Sequence, residues 1–99
     1  MSRKITNESV DKFLSRETFK KSNMEVDEGY GQFRLKLHGN VIAILDEFNM
    51  LSVSNAGWAS NTTKERLNGL PHVRVQQKNW NWFLNGVEWD GAWTRVGIV

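Results

Sequence analysis

From Gln32 onward apolar and polar residues alternate with a period of two: Phe33, Leu35 and Leu37 against Arg34, Lys36 and His38. That pattern predicts a strand with one apolar and one basic face. Gly39-Asn40 reads as a two-residue hairpin connection, and Val41 to Leu45 is apolar on both faces, as a central strand should be. Asp46 to Asn49 turns the chain and Met50 to Ser54 returns, completing a three-stranded antiparallel meander. Further on, His72 to Gln76 alternates again, Lys78-Asn79 turns, and Trp80 to Leu84 runs back. Asn85-Gly86 is a strong type I′ hairpin signal, because such a turn needs positive φ at both central positions. Val87 to Trp89 then pairs, Asp90-Gly91 turns once more, and Trp93 to Val96 forms a last short strand.

Helical periodicity is confined to two places. Val10, Phe13 and Leu14 share a face of a helix at about 8–15 capped by Asn7, with residues 1–6 as a loose terminus. Between it and the meander, Phe19 anchors a polar connection, and Met24 to Val26 is a short edge strand before Gly29-Tyr30-Gly31. The second helix follows Asn55-Ala56-Gly57. Thr62-Thr63-Lys64-Glu65 fits a capping box, Gly69 stands where a left-handed C-terminal cap is expected, and Pro71 forbids continuation. Two turns of helix are not stable alone, so it must dock through Leu67 and Leu70, with Trp58 as its large apolar partner. The expected architecture is α+β: a short N-terminal helix, then an antiparallel sheet of about five to six strands built from a meander, a two-turn helix and a hairpin.

At 99 residues this is a single domain, and 39% hydrophobic with 24% charged residues is the balance of a soluble globular protein. Five Trp and five Phe change the picture, since each ring can bury roughly 150–250 Å² and so supplies core mass that the aliphatic content lacks. With no cysteine, disulfides, thiolate catalysis and cysteine-based zinc sites are excluded. The N-terminal stretch is polar with no apolar segment behind it, and no apolar run approaches the ~20 residues of a membrane span. These features predict an intracellular protein without a membrane partner. A net charge of +2 is too weak a field to identify a nucleic-acid partner by itself.

Candidate chemistry is sparse. His38 and His72 are 34 positions apart and form no zinc motif, and no glycine-rich phosphate loop is present, so neither a metal nor a nucleotide cofactor is expected. Carboxylates occur as Asp27-Glu28, Asp46-Glu47 and Glu88 with Asp90. Neighbours on a strand point to opposite faces, so the first two pairs read as solvated turn residues; Glu88 and Asp90 share a face but lack a nucleophile or base nearby. No enzymatic activity is expected.

Two binding surfaces follow from the remaining signals. Tryptophans in excess of the core's needs, Trp80, Trp82, Trp89 and Trp93, are candidate anchors for a protein interface. Alternatively, Arg34 and Lys36 on one sheet face, Arg74 and Lys78 on another strand, and Lys64 and Arg66 on the second helix would make a basic stripe for nucleic acid. Trp80 and Trp82 would then stack bases. Sheet edges left uncovered would allow a homodimer as readily as a monomer.

The segments Leu37-His38-Gly39-Asn40-Val41-Ile42-Ala43, Leu51 to Trp58, Thr62 to Asn68 and Trp82-Phe83-Leu84-Asn85-Gly86 resemble, in this order, the LHGN-x-IA, LSN-x-GW, TTK-x-RLN and W-[YF]-LNG segments of small tailed-bacteriophage proteins. The resemblance covers roughly residues 33–93. It brings no activity with it. It implies a viral protein of the bacterial host cytoplasm, of the kind that binds and modulates or inhibits a host enzyme or defence system.

Overall fold

A computed structural model of the chain describes residues 2–58 and 60–99. Helix α1 (Ser2–Leu14) is followed by strands β1 (Phe19–Lys21), β2 (Met24–Gly29), β3 (Gln32–Leu37), β4 (Asn40–Leu45) and β5 (Met50–Val53). Helix α2 (Asn61–Leu67) then leads to β6 (Val75–Lys78), β7 (Asn81–Leu84), β8 (Val87–Glu88) and β9 (Thr94–Ile98). Two antiparallel sheets result. The first has the order β1-β2-β3-β4-β5-β9, the second β6-β7-β8.

The meander is as the alternation predicts, and β4 is central as its two apolar faces require. It extends further than expected on the N-terminal side. Residues 16–31 supply two strands rather than one, so Met24 to Val26 lies on an inner strand with Phe19–Lys21 outside it. Alternation along β2 is hidden in the sequence because Glu25, Asp27 and Glu28 surround only two apolar side chains, Met24 and Val26, both nearly fully buried. The last strand does not extend the hairpin that precedes it. Instead β9 crosses to the first sheet and pairs with β5, Val53 opposite Thr94 and Met50 opposite Ile98.

Hairpin turns fall one residue from where dipeptide signals place two of them. The β3-β4 turn is His38-Gly39, with φ of 52° and 81°, and Asn40 begins β4 opposite Leu37. The β6-β7 turn is Asn79-Trp80, with φ of 52° and 72°, between paired Lys78 and Asn81. Positive φ is demanded at both central positions, and the register of the flanking pairs decides which two residues meet that demand.

Helix α1 starts at Ser2, not after Asn7, so the described part of the expected loose terminus is helical; Met1 lies outside the described residues. The reason is the composition of its buried seam. Thr6 and Ser9 join Val10 and Phe13 in the interior, and the Ser9 hydroxyl is satisfied by donating to the Thr6 carbonyl at 3.0 Å. Small polar groups suit this seam because α2 comes close: a Cβ built on Gly69 would lie 2.5 Å from Thr6 Cγ2. Gly69 is therefore required by close approach, and the cap of α2 is Asn68 in right-handed conformation. At the other end the cap is Ser60, whose side-chain oxygen accepts from the Thr63 amide at 3.1 Å. The expected Thr62–Glu65 capping box is not formed, because Glu65 is drawn to Thr6 and Arg66.

The core lies between the first sheet and the two helices and continues into the second sheet. Phe13, Leu35, Leu51, Val53 and Leu67 are fully buried, and Val75, Trp82, Leu84 and Trp89 carry the same core onward. Trp58, the expected partner of α2, is 62% exposed instead.

A candidate binding groove in the second sheet

Sequence alternation sets the two faces of the second sheet. Trp82 and Leu84 on β7 point inward with Val75 opposite Leu84, while Asn81 is exposed on the other face. Asn68 fixes the start of this sheet to the end of α2, its side chain donating to the Val75 carbonyl at 3.0 Å and accepting from the Val75 amide at 2.6 Å. The Asn85-Gly86 turn is tied back as well, since Asn85 Oδ1 accepts from the Arg74 amide at 2.8 Å.

Trp89 follows β8 and closes the inner side. Its backbone amide donates to the Trp82 carbonyl at 2.9 Å, and its indole N–H reaches the Ala92 carbonyl at 3.0 Å and Thr94 Oγ1 at 3.1 Å. The polar edge of the buried ring is thus satisfied. Its centroid is 6.4 Å from that of Trp82, with the planes tilted by 39°. The Asp90-Gly91 turn that holds Trp89 rests on the first sheet. Gly91 is buried with φ of 89° against the Asn55 side-chain amide, where no Cβ would fit, and its carbonyl accepts from the Asn55 backbone amide and the Ser54 hydroxyl.

Above these two rings is an open groove of about 570 Å³ lined by Trp80, Asn81, Trp82, Glu88, Trp89 and Asp90. Trp80, at the hairpin tip, is 92% exposed. Asp90 spends one oxygen on the Ala92 amide at 3.0 Å. Among the described residues neither Glu88 nor Asp90 has an ion-pair partner.

Of the four candidate interface tryptophans, the structure brings Trp80, Trp82 and Trp89 to one groove. Trp80 stands free, whereas Trp82 and Trp89 are core rings that form the floor. Trp93 is half exposed on the chain leading to β9 and does not line the groove. What residue patterning missed is the part of Glu88 and Asp90; the available signal was that residues 80–93 contain two carboxylates, four tryptophans and no basic residue.

Of the six candidate basic residues, Arg34, Lys36 and Arg66 are engaged within the fold. Arg34 and Lys36 lie on the outer face of the first sheet, both paired with Asp27, at 2.8 and 2.5 Å. Burial raises the Asp27 pKa, but the hydrogen bonds and charges of Lys36 and Arg34 outweigh it and hold the carboxyl below its ordinary value. Arg66 is buried, bonded to Thr6, Glu65 and Asn23. Lys64 lies over the Trp82 ring, 6.0 Å from its centroid. Arg74 and Lys78 belong to the segment of the second sheet, which is not hydrogen-bonded to the first.

A second concavity, about 920 Å³ between α1, α2 and β6, is an open polar surface whose Glu65 is already committed to Thr6 and Arg66. Among the described residues no group of three His, Asp or Glu side chains is placed to hold a metal ion, and no helix is long and apolar enough to cross a membrane.

No curated protein and no solved structure matches the chain. A family model does, across residues 2–96, and by that match the chain belongs to the tailed-phage family described as Kyanoviridae Gp96 protein.

Proposed function

We propose that this phage protein is a non-enzymatic accessory factor of the host cytoplasm that binds a host protein and modulates or inhibits it, with Trp80 as its anchor. The observation that carries the reading is the state of Trp80. Three hairpin turns in the chain, Tyr30-Gly31, His38-Gly39 and Asn85-Gly86, place glycine at the second central position, which has positive φ. The Asn79-Trp80 turn places a tryptophan there, at φ 72° and 92% exposed. A bulky side chain in that conformation is a genuine outlier, and strain of this kind costs on the order of 1–3 kcal/mol. The ring recovers none of it by burial. Partner binding supplies the missing return, since tryptophan is among the residues that dominate interface energetics. Trp93, half exposed, offers a second ring.

The test compares tagged wild-type protein with Trp80→Ala in capture from host lysate, with quantitative mass spectrometry as the readout. One host protein should be enriched by the wild type and lost with the variant, a weakening of about 2 kcal/mol or more, while the thermal melt of the variant does not fall. Equal capture by both forms would remove Trp80 from the interface.

A further inference from the structure

We infer that the groove between Trp80, Trp82 and Trp89 takes a basic side chain, preferentially arginine, with Glu88 and Asp90 as its counter-charges. The inference rests on the host-binding reading only in taking the bearer of that side chain to be a protein.

Charge complementarity selects the occupant. The lining holds three indoles, one amide and two carboxylates, and no cation. An anion entering it would meet Glu88 and Asp90 directly, which disfavours phosphate and hence a nucleic-acid backbone at this site. A neutral apolar group would cover the two carboxylates without pairing them, and burying an unpaired charge is strongly unfavourable. A cation satisfies both halves of the lining, because indole faces attract it through the ring quadrupole and the carboxylates complete the charge. The chain already makes such contacts within itself: Lys64 Nζ lies 6.0 Å from the Trp82 centroid and the Arg16 guanidinium 5.8 Å from that of Phe33. Guanidinium is favoured over ammonium because it is planar, stacks on an aromatic face, is more weakly hydrated and can bond a carboxylate through two N–H groups. At about 570 Å³ the groove has room for a guanidinium and its aliphatic stem.

The experiment is a titration followed by the ¹H–¹⁵N signals of the tryptophan indoles, using acetyl-Gly-Arg-Gly-amide and its citrulline counterpart, which keeps the shape and removes the charge. The arginine peptide should shift the indoles of Trp80, Trp82 and Trp89 saturably, in the millimolar range that one side chain provides, and the citrulline peptide should not. Glu88→Gln with Asp90→Asn should weaken binding about tenfold or more, equal to ~1.4 kcal/mol, and asparagine at 90 can still accept from the Ala92 amide. An unchanged melt would confirm that this variant is folded. Equal shifts with both peptides, no shift with either, or wild-type affinity in the double variant would each overturn the inference. Host-protein capture that depends on Trp80 but survives the double variant would overturn it while leaving the host-binding reading intact. Arginine binding without any host capture would do the reverse.

Discussion

At the scale of single residues, the five tryptophans divide by what their backbone allows. Trp82 sits on a strand position that alternation turns inward, and Trp89 has two acceptors for its indole N–H, so both belong to the core. Trp80 has neither. Replacing it with glycine would give this hairpin the Asn-Gly dipeptide that a type I′ turn prefers. Relief of left-handed strain is partly offset by the greater freedom of glycine in the unfolded chain. Trp80→Gly is therefore expected to raise stability by about 1 kcal/mol, measured as the midpoint of urea unfolding, while losing the partner. A fall in the midpoint would mean that the ring is held by the fold after all. Trp58 shows the limit of reasoning from residue type. As a large apolar group just before α2 it is expected to pack on that helix, yet the Asn55 to Trp58 turn, closed by the Trp58 amide on the Asn55 carbonyl at 2.8 Å, leaves it mostly in solvent.

At the scale of elements, α2 separates local signal from tertiary competition. Thr62 and Glu65 have the spacing of a capping box, but Glu65 finds a charged partner in Arg66 and a hydroxyl in Thr6, and the cap passes to Ser60. Ser60→Ala should then cost about 1 kcal/mol, whereas Thr62→Ala, on an exposed side chain, should stay within about 0.5 kcal/mol. Chemical denaturation of both variants decides, and the opposite order would restore the capping box. The outer face of the first sheet carries a second prediction. Asp27, held between Lys36 and Arg34 across β2 and β3, keeps its charge more firmly folded than unfolded. Its stabilisation is present above the ordinary carboxylate pKa and disappears as pH falls through the lowered folded value. Asp27→Asn should cost about 1 kcal/mol at neutral pH and nothing at the acid end, so that the two stability-against-pH curves converge on acidification. Parallel curves would show that the pair does not contribute.

At the scale of the whole molecule, a buried network joins parts far apart in the chain. Arg66 on α2 donates to Thr6 on α1 at 2.9 Å and to Asn23 in the β1-β2 turn at 3.2 Å, with Glu65 as its counter-charge. Only 3% of Arg66 is exposed, so removal of that carboxylate cannot be repaired by water. Glu65→Ala should cost about 3 kcal/mol, with Glu65→Gln less severe, both read from thermal melts. A cost no greater than that of a surface substitution would show the guanidinium to be adequately held by its other partners. The same scale shows which cations are not available to a basic stripe. Arg34, Lys36 and Arg66 are consumed by internal pairing.

Much of this architecture is local and therefore readable along the chain. Alternation from Phe33 to Leu37, the doubly apolar β4 and the Asn85-Gly86 turn each express a rule that acts within a few residues, and together they specify an α+β chain with an antiparallel meander. The same patterning marks Trp80 to Trp93 as richer in aromatic rings than a small core requires. Only the tertiary structure decides which rings face water, where β9 pairs, and that Glu88 and Asp90 share a groove with three indoles. The physical reason is that these outcomes depend on contacts between segments distant in sequence. Gly91 seated against Asn55 and Val53 opposite Thr94 are examples, and their geometry is set by close packing rather than by any local preference.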